Sequence, residues 1–96
     1  MLQRMKSIVQ DDLSRCYVCG CTQGLEIHHV MSGVANRPIS TKYHLLVALC
    51  AEHHRGNTGV HRNFELKLRI VQDAQTAFER LYGHRLWMET FRKNYL

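Results

Sequence analysis

The sequence predicts an α+β fold: a small metal-centred core of two short strands and a helix, followed by a C-terminal pair of helices. Three observations carry that expectation. Cysteine and histidine pairs recur at ligand spacing, two short runs read as strands, and the last third of the chain repeats apolar residues every three or four positions. Ninety-six residues with 45% apolar content make a single domain whose core is small enough to gain from a staple. The chain divides into a lead-in (1–15), a core holding every candidate ligand (16–61) and the closing helices (62–96).

Leu2, Met5, Ile8 and Val9 stand at helical spacing and predict a short first helix, broken by Asp11, Asp12 and Ser14. Cys16-Tyr-Val-Cys19-Gly20 has the form of a metal knuckle, with two thiolates three apart and a glycine where the backbone turns beneath an ion. Residues 24–30 read as a strand, with Leu25, Ile27 and His29 on one face and Glu26, His28 and Val30 on the other. Residues 31–44 lack a steady period and contain Gly33, Asn36, Pro38 and Ser40, which predicts a loop. An apolar run of strand length, 45–49, leads into Cys50. Residues 51–55 then begin a helix that Gly56-Asn-Thr-Gly59 interrupts or ends. Phe64, Leu68, Val71, Ala74, Phe78 and Leu81 mark one face of an amphipathic helix that stops at Gly83. Trp87, Phe91 and Tyr95 mark a last helix over 86–96. Both closing helices read as scaffold.

Four cysteines and seven histidines are unusual in so short a chain, and ten of these eleven lie between Cys16 and His61. No run approaches the roughly 20 apolar residues of a membrane span. The segment MLQRMKSIVQDDL is too short and too charged for an export signal, so a cytoplasmic setting is expected. In that reducing compartment thiols bind metal rather than pair, and the close spacing of Cys16, Cys19 and Cys21 suits a disulfide framework poorly. Cys16 and Cys19 with Cys50-x2-His53 supply the two ligand pairs of a structural zinc, leaving Cys21 over. His28, His29, His54 and His61 remain. Neighbours on a strand point to opposite faces, so His28 and His29 can divide two tasks, one binding a metal and one taking a proton from water. His54 follows His53 on a helix, turned about 100° from the zinc, and can face the strand that carries His28.

Taken together, Cys16-Tyr-Val-Cys19-Gly20, Leu25-Glu-Ile-His28-His29-Val30 and Leu49-Cys50-Ala-Glu-His53-His54 resemble the HNH endonuclease family. The whole chain is similar to small HNH proteins of phages and prophages, through Ala35-Asn36-Arg37, Lys42-Tyr43, Gly59-Val-His61 and Asn94-Tyr-Leu96. The resemblance implies a ββα-metal core with a treble-clef zinc, DNA as substrate, and a bacterial or phage-infected host. By position it makes His28 and His54 ligands of a catalytic divalent ion and His29 the general base. His61 has no firm place in the motif, and either reaches the same ion or contacts a phosphate. The family's middle asparagine has no clean counterpart. Leu45 stands where it is often found, and His44 and Asn36 are the nearest polar substitutes.

Imidazole ligands suit Zn2+, Ni2+, Co2+ or Mn2+ better than Mg2+, which prefers oxygen. A net charge of +5 favours a polyanionic partner. Between Ile27 and Asn63 the sole acidic residue is Glu52, against Arg37, Lys42, Arg55 and Arg62, the candidate phosphate contacts. The function expected is therefore a metal-dependent DNA endonuclease. A non-catalytic treble-clef module, binding nucleic acid or a partner protein, is the competing class. It accounts for the cysteines and the charge but leaves the second histidine set unexplained.

Overall fold

The computed structural model describes residues 6–96. It is a small α+β arrangement of one two-stranded sheet and four helices. These are β1 (Leu25–His29), α1 (Asn36–Tyr43), β2 (Leu46–Cys50), α2 (Ala51–Arg55), α3 (Phe64–Tyr82) and α4 (His84–Phe91). β1 and β2 pair antiparallel with Leu25 opposite Cys50 and His29 opposite Leu46. Because α2 begins at the residue after β2, this register returns the helix over the start of β1. Residues 50–54 are thereby set against Glu26 and His28.

All five residues of β2 are buried, which explains its unbroken apolar run. The edge away from β1 is not left open. Ser7 Oγ donates to the Leu46 carbonyl, Ala48 N–H donates to Gln10 Oε1 at 2.8 Å, and Tyr17 N–H donates to the Ala48 carbonyl at 2.8 Å. The lead-in thus closes a sheet edge that would otherwise invite pairing with another chain.

The expected N-terminal helix falls partly on residues 1–5, outside the described residues. Over 6–10 the chain is not helical. Ser7 Oγ there accepts from the Val9 and Gln10 amides, an alternative to helix that serine offers readily. The expected loop over 31–44 is corrected as well, because 36–43 form α1. Pro38 stands at its third position, inside the first turn, where a missing amide costs nothing. The helix shows no apolar period because it docks through a serine. Ser40 is fully buried, donating to the Met31 carbonyl and accepting from the Met31 amide.

α3 is capped by Asn63, whose side chain accepts from Leu66 N–H at 3.1 Å. Its buried face is Ile70, Val71, Ala74, Gln75 and Phe78. The ends of the expected stripe lie outside it: Phe64 is 75% exposed and Leu81 60% exposed. Phe78 and Trp87 are fully buried with ring centroids 5.4 Å apart, and α4 packs on α3 through them. α4 ends at Phe91, sooner than the aromatic spacing predicts. Arg92 adopts a left-handed conformation (φ 61°), and the Trp87 indole N–H donates to the Lys93 carbonyl at 2.8 Å, drawing the tail back. Tyr95 still meets Trp87, at 6.3 Å, from the irregular chain beyond α4.

Candidate metal centres

The knuckle and the start of α2 bring Cys16, Cys19, Cys50 and His53 together, with one donor atom from each within 4.8 Å of the others. The knuckle is tied by Gly20 N–H to the Cys16 carbonyl at 2.9 Å and by Cys16 N–H to the Cys21 carbonyl at 2.8 Å. Gly20 carries φ 79°, the left-handed turn a side chain would resist. Tyr17 fastens the loop to α3, donating to Asp73 Oδ2 at 2.6 Å.

A tetrahedral zinc with bonds of about 2.3 Å to sulfur and 2.0–2.1 Å to nitrogen sets its ligand atoms about 3.8 Å apart for S···S and about 3.6 Å for S···N. The observed Cys19–Cys50 Sγ separation is 3.8 Å. The His53 Nδ1 contacts to Cys50 and Cys16, at 3.2 and 3.8 Å, bracket the second value. Spacing, donor type and edge lengths all fit zinc. Protonation agrees. Burial opposes ionising Cys16, yet backbone N–H groups of Cys50, Cys19 and Val18 donate to it and bring the thiol to about 6. At Cys19 and Cys50 a backbone N–H also favours the thiolate, but burial and the neighbouring thiols outweigh it and raise both. Three thiolates this close need a cation to ionise together. Cys21 is outside the group, its thiol turned to the Gln23 carbonyl at 3.7 Å.

The opposite face of β1 and α2 carries the second cluster, His28, His54 and His61, whose donor atoms also lie within 4.8 Å of one another. Ring centroids stand 5.2 Å apart for His28–His54, 5.7 Å for His28–His61 and 4.9 Å for His54–His61. His61 arrives from the turn after α2. That turn is held by Val60 N–H on the His53 carbonyl (2.9 Å) and by the close seat of Gly59 on α2, where a Cβ would stand 2.7 Å from the Glu52 carbonyl oxygen.

His28 is 5% exposed. Burial foremost, and then the charges of His54, His61, His29 and Lys67, push its pKa down to about 3, so the ring is neutral with a lone pair to offer. His61 is lowered by burial, by His54 and by Lys67. His29 is not in the cluster, but it lines the same cavity of about 260 Å³ together with His28, His54, His61 and Arg37. Burial and the Arg37 charge lower its pKa, favouring the neutral, proton-accepting form. Among the described residues no side chain hydrogen-bonds the His29 ring. Leu45, at the position of the family's asparagine, is fully buried, and His44 is an exposed left-handed cap of α1.

Glu26 and Lys67 join this site, and neither was among the residues that spacing or resemblance singled out. Glu26 Oε1 sits 2.6 Å from His54 Nδ1, and Arg55 forks onto both oxygens of the same carboxylate at 3.0 and 2.6 Å. The carboxylate therefore holds the Nδ1–H tautomer of His54 and leaves Nε2 as donor toward the cluster, an arrangement common behind metal-ligating histidines. Donation from His54 and then Arg55 keeps the Glu26 carboxyl below its usual range. The alternation of β1 had put Glu26 on the face of His28, which was the available signal. Lys67, four residues beyond the cap of α3, gave none.

The candidate phosphate contacts are distributed unevenly. Arg37 reaches the His29 cavity and, with Thr41, a shallower hollow beside it. Arg55 is engaged by Glu26 with its side chain 65% exposed, and Arg62 lies near Asn57 at 3.4 Å. Lys42 lies over the Tyr43 ring at 5.3 Å, on another face of α1. Among the described residues no helix is long and apolar enough to cross a membrane. Compared with protein-family models, with curated proteins and with solved structures, the chain matches none.

Proposed function

We propose that this chain is a metal-dependent endonuclease that hydrolyses DNA phosphodiesters on a treble-clef zinc scaffold, as the resemblance to the HNH family implies. One observation carries the reading: three imidazoles at metal-binding distance share a cavity with a fourth histidine outside the cluster and an arginine. A single structural zinc explains none of these groups.

A divalent ion held by His28, His54 and His61 would supply Lewis-acid stabilisation of the charge that builds on the phosphate and on the departing oxygen. The protein's own groups do the rest. His29, neutral at ordinary pH, accepts a proton from water through a ring nitrogen as the water oxygen bonds to phosphorus. The P–O bond on the far side breaks, and its electron pair leaves with the oxygen, which takes a proton from solvent. Arg37, beside His29, pairs with a non-bridging phosphate oxygen and fixes the strand against the base. Glu26 keeps the His54 ring turned so that Nε2 faces inward. With no asparagine on His29, its ring is set by packing and by Arg37.

The test is plasmid nicking with Mn2+, Mg2+, Ni2+, Co2+ or Zn2+. Wild type nicks, and His29→Ala loses about 10²–10⁴-fold while keeping its zinc and its melting temperature. No cleavage with any ion, or full activity in the variant, rejects the enzyme and leaves the non-catalytic zinc module.

A further inference from the structure

A groove runs beside the histidine site, between the loop after β1, the first turns of α3 and the C-terminal tail, with a volume of about 390 Å³. That falls within the roughly 300–1,000 Å³ of sites for small organic groups. Ser32 lines both this groove and the His29 cavity, and Val30, in its floor, directly follows His29. The two hollows are therefore neighbours on one surface.

Its lining is chemically mixed. Val30, Met31 and Val71 make an apolar, buried floor. Phe64 stands on the rim with 75% of its surface exposed and takes no part in the packed core. Lys67 and Lys93 flank it, no Asp or Glu lines it, and neither lysine has a carboxylate partner among the described residues.

The far wall is built rather than loose. Gln75, fully buried in α3, donates to Asn94 Oδ1 at 2.8 Å and accepts from Tyr95 N–H at 2.8 Å, while Gln72 donates to the Tyr95 carbonyl at 2.8 Å. These bonds fix the Asn94 side chain, which lines the groove.

We propose that this groove holds one unpaired nucleotide of the substrate strand, next to the bond that is cut. The base stacks on Phe64 over the apolar floor and meets the Asn94 amide, and Lys67 and Lys93 take the flanking phosphates. An exposed ring above an apolar floor suits a splayed-out base, whose face is free. A base within a duplex has no free face to offer, and duplex binding through phosphates has no use for Phe64. The substrate class is accordingly DNA with an unpaired segment: a single strand, a flap or a gap. This rests on the endonuclease reading only for its orientation toward His29.

The experiment measures binding without cleavage. Zinc-loaded His29→Ala protein is titrated into a fluorescent oligothymidylate and into a duplex of equal length, with anisotropy as readout. The single strand binds more tightly. Adding Phe64→Ala weakens single-strand binding about tenfold, within the range that stacking of one base supplies, and leaves duplex binding unchanged. Adding Lys93→Gln instead reduces the slope of log affinity against log salt by about 0.7, one phosphate contact on a single strand. Phe64 lies outside the core, so its removal spares the fold, and melting curves check this. Equal affinity for both DNA forms, or a Phe64→Ala effect below about twofold, overturns the groove assignment. If plasmid nicking succeeds while these differences are absent, the enzyme stands and the groove falls. The converse pattern retains the groove and rejects the enzyme.

Discussion

Glu26→Gln tests whether the second histidine cluster is a metal site, because it changes charge while keeping the size and shape of the side chain. The carboxylate accepts from His54 Nδ1 at 2.6 Å, where the two side chains are 32% and 16% exposed. A hydrogen bond to a charged group contributes about 1.5–3 kcal/mol net, and one between neutral groups about 0.5–1.5. Replacing carboxylate by amide therefore weakens the hold on the His54 ring by on the order of 1–1.5 kcal/mol. Arg55 loses its partner too, but at 65% exposure that pair contributes little and does not touch the cluster. One decade of affinity corresponds to about 1.4 kcal/mol, so binding of a divalent ion weakens five- to tenfold. This is at or just below the lower end of what outer partners of ligating histidines contribute. The assay is a Co2+ titration of zinc-loaded protein, followed by visible absorbance, with zinc content measured in parallel. An unchanged dissociation constant refutes the positioning role. Loss of zinc from the variant would show that the carboxylate supports the scaffold instead.

Further outcomes follow from the same geometry. Cys16→Ser, or removal of zinc with a chelator, leaves the domain without a cooperative melt, since structural zinc contributes about 10–16 kcal/mol in small modules and a domain's net stability is about 5–15. Calorimetry of zinc-free protein with an unaltered transition would contradict this. Gly59→Ala forces a Cβ against α2 backbone, at 2.7–2.8 Å from atoms of Glu52, His53 and His54. It costs about 1–3 kcal/mol of overpacking and displaces His61, so denaturant melts shift and Co2+ affinity falls together. Stability also depends on acid through Glu79, whose carboxyl is held below its ordinary 4.5 by donation from Gln75 and then His84. Because the folded value is the lower one, the contribution is present above about 4.5 and is lost as pH falls through the folded value. Melting temperatures of wild type and Glu79→Gln converge on acidification, and parallel curves would rule the effect out.

Ligand spacing needs no tertiary information when chain neighbours do the work. Cys16-x2-Cys19 and Cys50-x2-His53 each sit on a single turn, so both pairs were legible, as were the two strands, the turn at 56–59 and the helix from Phe64. α1 was hidden because it docks through Ser40 and carries Pro38 in its first turn, neither of which leaves an apolar period. The third member of the histidine cluster was named in the sequence without a place. His61 lies far along the chain from His28, and the seat of Gly59 against α2 decides where its ring falls.

What the residues alone determined was chemistry: which atoms can bind a cation, which strand and helix present them, and that the chain segment around them is rich in basic residues. Only the packed structure decided partnership. Pairing Leu25 with Cys50 lays α2 across β1 and so joins Glu26 to His54, and pinning the tail by Gln75 makes a groove beside the site. Helical and strand periods record which side of an element a residue occupies. They carry no information about which other element will cover that side, because that is set by long-range register and by hydrogen bonds between segments distant in sequence.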